Sequence, residues 1–471
     1  MAIARKIAYN VIFNIITKIL STVLALVGIG FIMQYLGKDG FGDYSTVLAF
    51  FAFFGSAADL GLYSITAREI SRPDADEKKI IGNALGLRLV SSLFVFSIAP
   101  IFIHFLPYSS EIKLGIMIAA ASFVFSTTYM VLNGLFQKNL AMDKVSSAEI
   151  IGKIFQILII VTAVKLDLGF IAIVSSVLAS MILNFLIIFF LARKYVALSF
   201  RFDFPYWKRF LIQSLPLGFS SLIVFIYFKI DTIILSILKN PSDVGIYNAA
   251  YKVLENITFF PAMIIGLVFP LLSKYIFSDK EKFSQIANET LKVFVILIVP
   301  LVIGTLFLAN GVIILIGGAV FNEAANILRI LIFSLVFIFF GNLFNNILIV
   351  SNNQKKLIIP LILCAVFNIT SNWLFIPLYS YKAAAINSVF TEFFVAISGL
   401  FLVLKYVKFV PRVKNLSRIF LSGLMMGIFL YLFRSASLVF LIFASSMTYL
   451  IFLLITKTIT AKDISSIIAT K

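Results

Sequence analysis

Apolar runs long enough to cross a bilayer follow one another along the whole of this chain, with little that is polar between them. They lie at 9–35, 44–66, 80–106, 111–134, 146–164, 169–192, 210–238, 245–272, 287–309, 326–350, 357–378, 382–404, 416–433 and 436–456. The hydrocarbon core of a membrane is about 30 Å thick, and one helix needs about 20 apolar residues to span it. No water is present there to satisfy backbone N–H and C=O groups, so segments of this kind must be helical. The expected fold class is an all-α integral membrane protein of about 14 transmembrane helices. Charged residues make up only 13% of the 471 positions, against about a quarter in a soluble domain. The connectors are too short to form a second, soluble domain. The run after Arg5 and Lys6 continues to Tyr35. A signal peptide's apolar region is only roughly 7–15 residues, so this run reads as an uncleaved first span.

Orientation follows from where the basic residues fall, because Lys and Arg concentrate in cytoplasmic connectors. With the N-terminus inside, the inner connectors carry 26 Lys and Arg and the outer ones carry 6, namely Lys38, Lys113, Lys165, Lys239, Lys382 and Arg434. One span miscounted early in the chain would scramble this alternation. The reading is a multi-pass protein of the inner (plasma) membrane with both termini cytoplasmic. The same alternation accounts for the net charge of +18 without nucleic acid as a partner, since no basic stripe or recognition motif accompanies it. The chain has one cysteine, Cys364, and one histidine, His104. These exclude a disulfide framework and a zinc site, and the sequence calls for no metal and no cofactor.

The chain also carries signs of an internal repeat, which membrane transporters often show. Leu36-Gly-Lys-Asp-Gly-Phe-Gly42-Asp-Tyr44 after the first span parallels Leu238-Lys-Asn-Pro-Ser-Asp-Val-Gly245-Ile-Tyr247 after the seventh. Asn133 to Asn139, ending the fourth span, parallels Asn346 to Lys355, ending the tenth, and 168–176 parallels 381–389. The offsets are 203, 214 to 217 and 213 residues, as six spans per half require. Paired spans run the same way, so the two lobes would be related by a parallel pseudo-two-fold along the membrane normal. The expected organisation is a six-helix lobe at 1–207, a second at 208–404, and two additional helices within 405–471.

Ionisable residues inside the spans are the candidates for function. A charge at the bilayer centre costs about 3 kcal/mol on insertion scales, so it marks a cavity or pathway by default. Lys18, Arg88, Lys153, Lys229, Lys252, Lys292 and Arg329 lie within spans, with the acids Asp59, Asp231, Glu255 and Glu392. Lys292 and Arg329 are within about a turn of a span end, where long side chains reach the interface. Lys18 is nine residues into its helix, roughly 13 Å, beyond the reach of a lysine stem. Asn10, Asn14, Thr17, Lys18, Ser21 and Thr22 recur at spacings of three and four, a polar stripe on one helix face. Asn248, Tyr251, Lys252 and Glu255 repeat the pattern on the eighth span, Asn368 with Asn372 on the eleventh, and Asn387 with Thr391 on the twelfth. Interhelical hydrogen bonding suffices for the Asn and Thr pairs. Taken singly, each acid is best read as a local ion-pair partner, with Lys252 and Glu255 three apart on one face as the obvious pair. The excess of base suits a phosphate or pyrophosphate.

These features together resemble the polysaccharide-transporter (Wzx-type flippase) branch of the multidrug/oligosaccharidyl-lipid/polysaccharide (MOP) superfamily. The resemblance rests on the polar first span with Lys18, Leu36-Gly-x-x-Gly-Phe-Gly42-x-Tyr44, and Asp59-Leu-Gly61 leading to Ala67-Arg68-Glu69. It rests further on Pro216-Leu-Gly218 with Asp231, and on Gly245-Ile-Tyr247-x-Ala-Ala-Tyr251-Lys252. It extends over the whole chain; the order of the motifs is more specific than any one of them. It implies a non-enzymatic transporter with two six-helix lobes around a cavity that opens alternately to each side. It implies a polyprenyl-pyrophosphate-linked oligosaccharide as cargo, moved to the outer leaflet for O-antigen or other surface polysaccharide. Lys18, Arg88, Lys153 and Lys252 are the pyrophosphate candidates. Asp59, Asp231, Glu255 and Glu392 are candidate coupling or cavity acids, serving H+ or Na+, and Asn10, Asn14, Asn248 and Tyr251 are polar cavity residues. Membrane lipids and polymerase machinery are the implied partners.

Two other functions are weighed against this one. A multidrug or organic-cation antiporter of the same fold should line its cavity with acids and aromatic rings, which the basic excess opposes. A membrane-embedded glycan polymerase needs a sizeable outer loop to house its site, and the outer connectors here are about ten residues at most. The orientation has a direct test in a Cys364→Ser background. Single cysteines replacing Lys38 or Lys165 should react with a membrane-impermeant maleimide in intact cells, and cysteines replacing Lys194 or Lys355 only after permeabilisation. The opposite pattern would invert the topology.

Overall fold

A computed structural model describes the backbone of residues 2–458, apart from positions 60 and 73. The side chains of residues 2–12, 15, 57–59, 64, 216–217, 220–221 and 227 lie outside that description, so Asn10 and Asp59 are not placed. The described residues are helical throughout, without a strand. In order they form α1 (Ala2–Asp59), α2 (Leu62–Ile70), α3 (Glu77–His104), α4 (Ser110–Lys138), α5 (Met142–Lys165), α6 (Gly169–Ala192) and α7 (Phe204–Leu238). Then come α8 (Pro241–Ile257), α9 (Phe259–Tyr275), α10 (Lys280–Gly317), α11 (Ala324–Val350), α12 (Ile358–Leu402), α13 (Leu416–Leu432) and α14 (Leu438–Ile455).

Among the described residues, 10 helical segments are long and apolar enough to cross a membrane, and α13 is a shorter apolar helix. Two of the ten hold two spans each. α1 breaks at Gly37 (φ 66°) and α12 at Ser380 (φ 50°), where the sequence places its turns. α7 adds another. The total is the expected number of about fourteen. Two spans are themselves interrupted: the second at Gly61, in left-handed backbone, between α1 and α2, and the eighth at Thr258, between α8 and α9. Several helix starts follow from the connectors. Asp76, Ser109, Asp203, Asp279 and Ser437 each accept a bond from the backbone N–H three residues on, which satisfies a donor the helix leaves open. The Lys282 N–H also holds the Asp279 carboxyl below the usual carboxylate range.

The chain divides into two compact units. The first comprises residues 1–248 with 369–381; the second comprises 249–368 with 382–471. The boundary at 248/249 falls inside α8. In the first unit, α2 to α7 meet around a core that includes Leu85, Leu132, Leu135, Phe136 and Ile188. In the second, α13 and α14 pack on α10 through Val299, Ile419, Met426, Leu441 and Leu453, and the Tyr449 hydroxyl donates to the Ile296 carbonyl at 2.9 Å. The outward faces stay apolar. Phe443 on α14 is 73% exposed and Ile16 on α1 is 59% exposed, positions that suit lipid and not water.

The repeat is visible in backbone geometry. At the end of α4, the Ala141 N–H donates to the Phe136 carbonyl (2.9 Å) beyond Leu140 at φ 51°. At the end of α11, the Asn353 N–H donates to the Leu348 carbonyl (2.7 Å) beyond Asn352 at φ 60°. Both are the same left-handed helix stop, closed by a six-to-one bond. The two stops are 212 residues apart. The Asn133 and Asn345 side-chain oxygens are alike too: both are buried without a hydrogen-bond donor.

Within the first unit, the two Gly-x-Tyr turns meet each other. A Cβ on Gly42 would overlap the Pro241 carbonyl, and one on Gly245 would overlap the Lys38 carbonyl. Both contacts pair a glycine with a residue of the other turn, and each residue has its counterpart 203 positions away. This is a reciprocal contact of the kind a two-fold relation produces. Glycine is required because backbone approaches backbone. Gly42→Ala or Gly245→Ala should therefore destabilise the protein by about 1–3 kcal/mol, as overpacking does. Thermal unfolding in detergent reads this directly, and an unchanged midpoint for both variants would contradict the contact.

Candidate functional site

The first arm of α1 and the whole of α5 run side by side in one register. The Ser146 hydroxyl donates to the Asn14 side-chain oxygen at 2.5 Å, and the Tyr35 hydroxyl donates to the Asp167 carboxylate at 2.6 Å. Both pairs are 132 residues apart, and Gly28 between them faces Ile157 and Ile160. The helices are therefore parallel over this length. Held in this way, the polar stripe of α1 faces a polar stripe of α5.

Lys18 sits one turn beyond Asn14, exposed, and interacts electrostatically with Glu149 of α5. One turn further, Lys153 donates to the Gln156 side-chain oxygen at 3.2 Å. By the register of the seam, Lys153 stands opposite Ser21. The Tyr129 ring of α4 lies within electrostatic reach of Glu149 as well. Thr17 is buried, and its hydroxyl bonds the Phe13 and Asn14 carbonyls of its own helix. The structure thus brings Asn14, Lys18 and Lys153 onto one seam. It also adds Ser146, Glu149, Gln156 and Tyr129, none of which the sequence argument singled out. Glu149 belonged with the intramembrane acids, since it lies inside the run 146–164. Its spacing of three from Ser146 and four from Lys153 was the available signal.

Arg88 is placed differently. It is fully buried on α3, and its Nε donates to the Thr127 carbonyl of α4 at 3.1 Å, beside a Ser92–Thr127 hydroxyl contact of 3.0 Å. In this conformation the guanidinium is a bridge between α3 and α4.

Asp231 near the end of α7 is 2% exposed. It accepts from the Tyr247 hydroxyl (3.1 Å) and from the Asn372 amide (2.7 Å), and the neighbouring Thr232 donates to Asn248 (3.2 Å). All of these belong to the first unit, and Asn248 lies beside the Asp231 cluster through Thr232. Tyr251, 5% exposed, follows on the buried face of α8 in the second unit.

The other candidates lie in the second unit. Lys252 pairs with Glu255 at 2.8 Å, as their spacing suggests. Glu392 is 7% exposed on α12, next to Thr391, whose hydroxyl accepts from Asn368 at 3.0 Å. Arg329 meets the Leu306 carbonyl at 3.0 Å and the side chains of Asn326 and Asn310.

Two ammonium groups and one carboxylate leave the described α1–α5 seam net positive, with Glu149 the acid that interacts with Lys18. Asp231, by contrast, accepts from two neutral donors of its own unit. Asp231→Ala would strand the Tyr247 and Asn372 donors, at about 1–3 kcal/mol for each buried unsatisfied group. Thermal unfolding should show that loss and a much smaller one for Asp231→Asn; an unchanged midpoint for Asp231→Ala would mean the acid has no structural role.

Comparisons agree with this architecture. The family model for polysaccharide biosynthesis proteins matches residues 7–276, and the MatE family model matches residues 216–374. A Shigella flexneri protein assigned as an O-antigen transporter is 25% identical over 295 residues, 60% of this chain and 69% of its own length. The capsular polysaccharide biosynthesis protein CapF of Staphylococcus aureus is 25% identical over 326 residues, 68% of this chain and 80% of its own length. Among solved structures, the lipid II flippase MurJ in an inward closed conformation superposes with a TM-score of 0.76 at 17% identity, covering 94% of this chain and 98% of MurJ. An inward-facing multidrug resistance MATE transporter of the MOP superfamily gives 0.67 at 16% identity, covering 84% and 98%. The family match spans more than half of the chain, and this protein therefore belongs to the family of polysaccharide biosynthesis proteins: it is a multi-pass membrane protein with the fold of the MurJ and MATE structures.

Proposed function

We propose that this transporter carries an oligosaccharide linked through pyrophosphate to a polyprenyl lipid, from the cytoplasmic to the outer leaflet, by alternating access. The membrane is the inner (plasma) membrane, both termini are cytoplasmic, and the product feeds surface polysaccharide assembly. The observation that carries the reading is the α1–α5 seam, where Lys18 and Lys153 stand inside the membrane with Glu149 between them. A pyrophosphate is the part of such a cargo that hydrocarbon excludes most strongly, and it needs cationic donors along the way. The Shigella flexneri relative, assigned as an O-antigen transporter, and the Staphylococcus aureus relative, a capsular polysaccharide biosynthesis protein, support a saccharide cargo. The lobes at 1–207 and 208–404, with the helix pair in 405–471, supply the alternating parts in this scheme.

Lys18 and Lys153 hold the pyrophosphate, with Asn14 and Gln156 as neutral donors. Cargo displaces Glu149 from Lys18, so the empty seam never leaves that charge without a counter-ion. Lys252, released from Glu255, is the candidate of the second unit, and Arg88 joins only where α3 and α4 part. Asp59 and Glu392 remain the acids for a coupling H+ or Na+. A multidrug antiporter is the second reading, favoured by the MatE match over 216–374 and by the MATE-like fold. It puts the acids first and makes the lysines incidental.

The two readings separate by mutation. Each lysine removed takes away a charge-assisted bond of about 1.5–3 kcal/mol, roughly a ten- to hundredfold loss in affinity. Lys18→Ala combined with Lys252→Ala should abolish surface glycan while the protein still inserts, and Lys153→Ala should reduce it. Deletion of the gene should leave lipid-linked repeat units on the cytoplasmic leaflet. Unchanged glycan in the lysine variants would remove the site assignment, and repeat units appearing outside in the deletion strain would remove the flippase function itself.

A further inference from the structure

The largest concentration of unpaired base in the second unit lies away from the seam, where the start of α10 meets the segment joining α12 to α13. Between them is a cavity of about 540 Å³. Lys280, Lys292, Lys408, Arg412 and Lys414 line it, against a single acid, Glu289. Glu289 is matched only by Lys292, at 4.0 Å. Among the described residues, Lys280, Lys408, Arg412 and Lys414 have no acidic partner.

This is a built pocket and not a loose run of basic residues. The joining segment leaves α12 as a π-helical turn (Val403–Val407), and Lys408 closes that turn in left-handed backbone at φ 58°. A lysine there is held in a conformation that a side chain ordinarily avoids. The Phe409 ring then meets Phe283 of α10 edge-on at 5.7 Å, and the Arg412 N–H donates to the Asn288 side chain at 2.7 Å. The segment is thereby pinned to α10 at two points, with its basic side chains around an aromatic floor. A second, apolar cleft of about 450 Å³ adjoins the cavity and shares Gln285 and Glu289 with it. Ile264 and Val268 of α9 and Val293 of α10 form its walls.

A basic cavity beside an apolar cleft, at the end of a membrane helix, matches an amphiphile with an anionic head. The charge alternation of the sequence puts this end at the cytoplasmic leaflet, where anionic lipids collect and basic pockets bind their head groups. We infer that this pocket holds the phosphate of an anionic phospholipid, with one acyl chain in the α9–α10 cleft. The lipid tethers the α12–α13 connector to α10 and is a partner separate from any cargo.

Purified full-length protein, delipidated in a nonionic detergent, provides the test. Phosphatidylglycerol should bind in a one-to-one adduct by native mass spectrometry and raise the unfolding temperature, and phosphatidylcholine should do neither. Lys280→Gln/Lys408→Gln/Lys414→Gln should weaken phosphatidylglycerol binding at least about tenfold. The matching triple change to Arg should keep it, as should a control that removes as many charges elsewhere, Lys78→Gln/Arg193→Gln/Lys194→Gln. Equal binding by wild type and the Gln variant, or an equal loss in the control, would overturn the site. Inorganic phosphate producing the same stabilisation at the same concentration would show a soluble-anion site and overturn the lipid assignment. The side chains changed are exposed; circular dichroism of each variant, with Lys408→Gln alone as a milder substitution, separates lost binding from lost fold.

Discussion

A peptide group in hydrocarbon has nothing to bond to except its own chain, and lipid tails are as apolar as leucine. The first fact makes every span helical; the second removes the usual hydrophobic reward for bringing helices together. Cohesion has to come from close approach and from hydrogen bonds between helices. The Gly42–Pro241 and Gly245–Lys38 contacts are close approach at its limit, backbone against backbone. The Ser146–Asn14 and Tyr35–Asp167 bonds are the second device, and together they set the parallel register of α1 and α5.

That register has a functional consequence. Lys18 is tolerable in the membrane because Glu149 stands beside it, and Glu149 stands there because Asn14 is bonded to Ser146 a turn earlier. With two ammonium groups and one carboxylate, the described seam keeps a net positive charge. Asp231 illustrates the opposite use of an intramembrane acid. With Tyr247 and Asn372 both donating to it, it acts as a fixed joint among α7, α8 and α12.

Much of the fold was legible in the sequence, because span length, turn residues and the alternation of base are local signals. The turns at Gly37 and Ser380 fall where the polar connectors do, and the 203-residue offset that pairs Gly42 with Gly245 reappears as a physical contact. The interruptions at Gly61 and Thr258 were not legible, since hydropathy runs on through both. At the site, Lys18 and Lys153 stood out as charges in apolar helices. Glu149 did not, because it lies three residues into its run, where an acid passes for an end residue. The partners of Asp231 are 16 and 141 residues away, a separation that no periodicity on one helix encodes. The burial of Arg88 against the Thr127 carbonyl was equally out of reach, for it depends on how α3 meets α4.

The central claim is that a pyrophosphate crosses the membrane by way of the α1–α5 lysines. Reconstituted vesicles test it most directly. With a polyprenyl-pyrophosphate oligosaccharide in the inner leaflet, the fraction reaching a lectin outside is followed over time. Vesicles holding the wild-type protein should expose the sugar well above the protein-free rate, Lys18→Ala/Lys153→Ala should fall to that rate, and removing the pyrophosphate from the cargo should abolish the difference between the two. Equal exposure by the wild type and the double variant would contradict the account.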